Sequence, residues 1–89
     1  MRIEWRKQAL AELSAILEHI STESPSGAAR VHAQILHSVS FLAEWPEMGR
    51  RGRGKYRELV ISHTPYIVLF LHSKKCVTIT RVLHGSQKR

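Results

Sequence analysis

After a short alternating start the hydrophobic period of the chain changes once more, and that change falls on a stretch dense in arginine and glycine. Before it, apolar residues recur at three- and four-residue steps: Ala9, Leu10, Leu13, Ile16, Leu17 and Ile20, then Ala28, Val31, Ile35, Val39 and Leu42. That spacing predicts two amphipathic helices. From Tyr56 onward the apolar residues come in short runs rich in β-branched and aromatic types, which predicts strands. Between the two lies Gly49-Arg50-Arg51-Gly52-Arg53-Gly54-Lys55-Tyr56-Arg57, with five basic side chains and three glycines in nine positions. Such dense like charge is tolerable only against water or an anion, and glycine lets backbone N–H groups approach that anion closely. A chain divided this way must lay a helical layer on a sheet, with the basic stretch leading into the sheet.

The remaining elements follow from local signals. Arg2-Ile3-Glu4-Trp5 alternates polar and apolar, as a short strand does. A first helix runs from Arg6 and is stopped in Ser21 to Gly27, where Ser24 is placed to cap a second helix with Pro25 at its first position. The second helix spans about 26–44, and Trp45-Pro46-Glu47-Met48-Gly49 closes it, Gly49 permitting the positive φ of a turn. Both tryptophans adjoin apolar stripes and are expected to pack into the core. Strands are expected at 56–62, 66–72 and 76–83, separated by turns at Ser62-His63-Thr64-Pro65 and at Ser73-Lys74-Lys75. In the last strand, Arg81 would share a face with Val77 and Ile79, an odd place for a charge unless its head reaches a rim or a partner. The expected fold is α+β, in the order β-α-α-β-β-β, with a helical hairpin packed on one face of an antiparallel sheet.

Composition bounds the function. A chain of 89 residues is expected to form one domain, residues 1–89. Its 14 Lys and Arg against 7 Asp and Glu give a formal net charge of +7, and the pI is near 10.4, so a polyanion or an acidic protein is the expected partner. The one cysteine, Cys76, excludes an internal disulfide, and the start Met-Arg-Ile-Glu-Trp lacks the apolar stretch of a signal peptide, so the cytoplasm is the expected location. No apolar run approaches the roughly 18 residues of a membrane span. Histidines at 19, 32, 37, 63, 72 and 84 show no zinc spacing, and neither a metal nor another cofactor is expected.

Several short motifs occur together: Trp45-Pro46-Glu47-Met48-Gly49-Arg50, Tyr56-Arg57-Glu58-Leu59, Thr64-Pro65-Tyr66-Ile67-Val68 and Thr80-Arg81-Val82-Leu83-His84-Gly85. With the element order, they resemble the RelE/ParE superfamily of bacterial type II toxins. The resemblance implies a small cytoplasmic toxin held by a cognate antitoxin in a hetero-oligomer. RelE-like members cleave messenger RNA on the ribosome without a metal, whereas ParE-like members bind and poison DNA gyrase. The patterns around Leu59-Val60-Ile61, Thr64-Pro65-Tyr66 and Val82-Leu83-His84-Gly85 look more like the ParE branch.

Both mechanisms have candidate residues. RNA cleavage needs a base, an acid and cations on the developing phosphorane charge. Arg57 and Arg81 match strand arginines that contact phosphate in the ribonuclease members, and His84 matches a position where some of them place a histidine. The C-terminal tyrosine of several ribonuclease members is missing, and Glu58 would alternate to the face opposite Arg57. Whether the chain is an enzyme therefore stays open at this point. As surface for a target or antitoxin, the candidates are Arg50, Arg51, Arg53, Lys55, Arg57, Tyr66 and Arg81, of which Arg50, Arg51 and Arg53 read as mobile surface charge. A non-catalytic nucleic-acid-binding module is the third alternative.

Overall fold

The first strand, β1 (Arg2–Trp5), runs parallel to the last, β5 (Cys76–His84), and pairs with its first half from Arg2↔Cys76 to Trp5↔Ile79. This pairing fixes one edge of a five-stranded sheet in the order β1-β5-β4-β3-β2, where β2 is Arg50–Arg51, β3 Arg57–Val60 and β4 Tyr66–His72. The other neighbours are antiparallel. The computed structural model of the protein describes residues 1–52 and 54–87; Arg53 and the end of the tail lie outside them.

Two helices cover one face. Helix α1 (Lys7–Ser21) follows β1 directly, and Arg6 closes the junction by donating its N–H to the Ile79 carbonyl at 3.0 Å. Helix α2 (Pro25–Ser40) begins as the sequence predicts: the Ser24 hydroxyl accepts the Gly27 N–H at 3.0 Å, with Pro25 in the first turn. It ends earlier than expected, passing into a 3-10 turn at Phe41–Ala43. The apolar stripes do what their period requires. Ala9 and Leu13 of α1 and Ile35 and Val39 of α2 meet Leu59, Val68, Phe70, Val77, Ile79 and Val82 of the sheet in one buried cluster.

Four further expectations change on contact with the structure. The sheet is mostly but not wholly antiparallel, because β1 enters parallel to β5. Trp5 packs against the core, but Trp45 is 53% exposed, because the 3-10 turn swings it outward, where its ring tilts against Phe41 at 6.1 Å. Gly49 has a φ of −72°, so no positive φ is needed there; among the described residues the left-handed ones are Gly54 and His63. Arg50 is not loose surface charge but a strand residue whose Nε donates to Glu58.

Candidate functional site

The basic stretch folds into the hairpin of β2 and β3. Arg50 pairs with Glu58 and Arg51 with Arg57, and the Gly52 N–H donates to the Tyr56 carbonyl at 3.0 Å. Gly54, at φ 60°, supplies the left-handed turn that a side chain would disfavour. Directly opposed residues of a ladder point to the same face. Arg50, Glu58, Leu69 and Arg81 therefore share one face, while Arg57 lies on the other with Phe70.

On the first of these faces the sequence hid a buried acid. Glu58 is 4% exposed, and Arg50 Nε donates to its Oε1 at 3.0 Å. A Cβ at Gly52 would stand 3.2 Å from Glu58 Cγ, so glycine there lets the hairpin close over the carboxylate. Removing a donor from a buried carboxylate is costly, whereas an exposed arginine contributes little. Arg50→Ala should destabilise the fold by about 2 kcal/mol and Arg51→Ala by less than about 0.5 kcal/mol in chemical denaturation.

Arg57 is oriented by backbone. Its Nη2 donates to the Gly49 carbonyl at 3.0 Å and reaches the Glu47 carbonyl at 3.5 Å. Its Nε is closed off from solvent and has no acceptor among the described residues. Around it Arg51, Lys55, Tyr56 and His72 line a cleft of about 190 Å³. A second cleft, of about 340 Å³, holds Arg6, Gln8, Tyr56, Leu69, Thr80 and Arg81. Tyr56 borders both.

Arg81 answers the puzzle its strand position poses. Strand β5 carries an extra residue at Thr80, whose hydroxyl donates to the Leu69 carbonyl at 3.0 Å, and the irregularity turns Arg81 away from the core face of Ile79. Its Nη2 and Nε sit 2.6 and 2.8 Å from Glu12 Oε2 of α1, and Glu12 Oε1 accepts the Val82 N–H at 2.9 Å. One carboxylate thus holds the guanidinium and closes the edge of β5 that β1 leaves open. The hydrogen bond that Arg81 donates to Glu12, opposed by burial, raises the Arg81 pKa above its already high ordinary value. A raised basic group contributes its stability below its unfolded pKa and loses it only as pH rises through the folded one, so this pair's arginine stays charged up to strong alkali.

His84 is engaged locally. Its Nδ1 accepts the Ser86 N–H at 3.1 Å and lies 2.9 Å from the Ser86 hydroxyl, its N–H donates to Gln87 Oε1 at 2.9 Å, and its ring meets Tyr66 edge-on at 5.7 Å. Tyr66 is the cross-strand neighbour of His84, and Phe70 that of Arg57. Four residues of β4 thus separate them, about 13 Å at strand rise. The three residues expected to work together on RNA are therefore apart: Arg57 and His84 at two levels of the helix-covered face, Arg81 on the other, its guanidinium held by Glu12 of α1 at the edge of β5. What the structure brings together instead is Arg51, Lys55 and Arg57, with Tyr56 and His72 added. The exposed aromatic beside the arginine run was a usable signal for Tyr56; nothing local marked His72, Arg6 or Glu12.

Two helices on one face of a five-stranded, mostly antiparallel sheet, with a basic hairpin at one edge, define a class of small α+β toxin folds. The chain belongs to the ParE toxin family of type II toxin–antitoxin systems, parDE, whose pattern it matches over residues 3–89. It is 43% identical to the Y4kP protein of Sinorhizobium fredii, over 98% of this chain and 91% of that one. It is 34% identical to toxin RelE2 of Caulobacter vibrioides, covering 97% of each. Among solved structures it superposes on the chromosomal ParDE toxin–antitoxin system from P. aeruginosa with a TM-score of 0.86 and 25% identity, covering 94% of this chain and 95% of that one. YafQ from E. coli shares the fold at a TM-score of 0.52 and 12% identity, covering 97% and 96%. Among the described residues no helix is long and apolar enough to cross a membrane.

Proposed function

We propose that this toxin of the ParE family inhibits growth by binding and poisoning DNA gyrase, and that a cognate antitoxin neutralises it. The observation that carries the choice of target is the separation of Arg57, Arg81 and His84. Acid–base cleavage requires its groups within hydrogen-bond reach of one phosphate, and here one arginine is committed to Glu12 while the histidine lies about 13 Å along the strand from the other. A toxin that works by occupying a protein needs surface and charge rather than converging catalytic groups. The hairpin and its two clefts supply both. Adding the purified toxin to gyrase at roughly micromolar concentration should abolish supercoiling and accumulate cleaved DNA. Unchanged supercoiling overturns the reading.

The similarity to toxin RelE2 supports a second reading, cleavage of messenger RNA on the ribosome. Primer extension on translated transcripts after induction separates the two. New cuts that disappear in Arg81→Ala, with gyrase unaffected, would favour the ribonuclease.

A further inference from the structure

We propose that the cleft of Arg51, Lys55, Arg57 and His72 is a receptor for one carboxylate side chain, Asp or Glu, of the cognate antitoxin; the inference rests on the neutralisation reading above. Three permanent cations and a histidine line a space of about 190 Å³, and no carboxylate is among its lining residues. The nearby acid Glu58 lies on the other face, beneath Gly52 and against Arg50. Glu47 lines an adjoining cleft that shares His72, and the contact it makes with Arg57 is through its backbone carbonyl. The positive charge gathered here is therefore not answered within the described residues.

Arg57 makes the cleft more than a patch of surface charge. Its guanidinium is fixed by the Gly49 carbonyl, and its Nε–H, closed off from solvent, has no acceptor among the described residues. A guanidinium already held in place loses little freedom when a carboxylate arrives, so the cleft is pre-organised for one. The space is smaller than the roughly 300–1,000 Å³ of sites that enclose a whole small molecule, and suits a single acidic group carried by a larger partner. A phosphate has the same charge. Family membership, which brings a protein partner, favours the carboxylate.

The test is equilibrium binding of the full-length toxin to its antitoxin, with charge reversals in and outside the cleft. Lys55→Glu and Arg51→Glu, both at exposed positions of the hairpin, should each weaken binding by about tenfold or more, corresponding to at least 1.4 kcal/mol. Arg30→Glu on α2, the same change of net charge elsewhere, should cost less than about threefold. The difference should persist near 1 M salt, where the screening length is about 3 Å and long-range attraction is gone. Equal losses at all three positions would reduce the effect to net charge and overturn the proposal. So would weakened binding of a single-stranded DNA oligonucleotide by Lys55→Glu with antitoxin binding intact, which assigns the cleft to phosphate. If the wild-type toxin binds no antitoxin, the neutralisation reading fails and takes this inference with it; normal wild-type binding that Lys55→Glu leaves unchanged sinks the cleft alone.

Discussion

Gly49→Ala is expected to destabilise the toxin by about 3 kcal/mol, although Gly49 has a backbone conformation that any residue adopts. The reason is space. A Cβ at this position would stand 2.6 Å from two atoms of the Phe70 ring and 2.8 Å from the Glu58 carbonyl oxygen. Neither neighbour can yield cheaply. Phe70 is fully buried at the centre of the core, and the Glu58 backbone belongs to the ladder between β3 and β4. Overpacking a core typically costs about 1–3 kcal/mol, and a clash with both ring and backbone belongs at the upper end. The same residue offers its carbonyl to Arg57. The substitution should therefore also disturb the cleft, and variants that retain a fold should lose antitoxin affinity beyond what their stability explains. Chemical denaturation measures the first effect. A loss below about 1 kcal/mol would mean that the segment leading into β2 can move away from Phe70.

What could be read from the sequence is what depends on neighbours along the chain. The alternation of Arg2 to Trp5, the two helical stripes, the Ser24-Pro25 start of α2 and the apolar run of β4 are local patterns, and each became the expected element. The missing parts depend on residues distant in sequence. Pairing of β1 with β5 joins positions over seventy residues apart, and no periodicity specifies that it is parallel. Glu58 sits in an ordinary strand pattern, so its burial is visible only once Gly52 and Arg50 fold over it. Trp45 was misplaced for a related reason: its adjacency to an apolar stripe holds only while the helix continues, and α2 gives way to the 3-10 turn at Phe41. Within the candidate site, Arg51, Lys55 and Arg57 were legible as a charge cluster. The contribution of His72 was not, since it comes from the far end of β4. Arg53, another of the expected contact residues, lies outside the described residues.

Glu12→Ala should cost about 2–3 kcal/mol, more than removal of an ordinary exposed ion pair, which is worth at most about 1 kcal/mol. Glu12 makes two kinds of contact with one carboxylate: Oε2 receives the Arg81 guanidinium and Oε1 receives the Val82 N–H. The second is the structural one. Strand β1 stops at Trp5, opposite Ile79, so the outer edge of β5 beyond that point has no neighbouring strand. Glu12 satisfies Val82 and Gln87 satisfies His84, and between them these side chains take the place of a sixth strand. Without Glu12 an edge N–H is exposed and the charge of Arg81 is released toward the cleft it shares with Tyr56 and Arg6. Glu12→Gln separates the roles, because the amide oxygen still accepts from Val82 while the charge partner of Arg81 is gone. It should recover more than half of the stability lost in Glu12→Ala, and hydrogen exchange at Val82 should stay slow in Glu12→Gln and quicken in Glu12→Ala. If the two variants are equally destabilised, the ion pair with Arg81, rather than closure of the strand edge, is what Glu12 contributes.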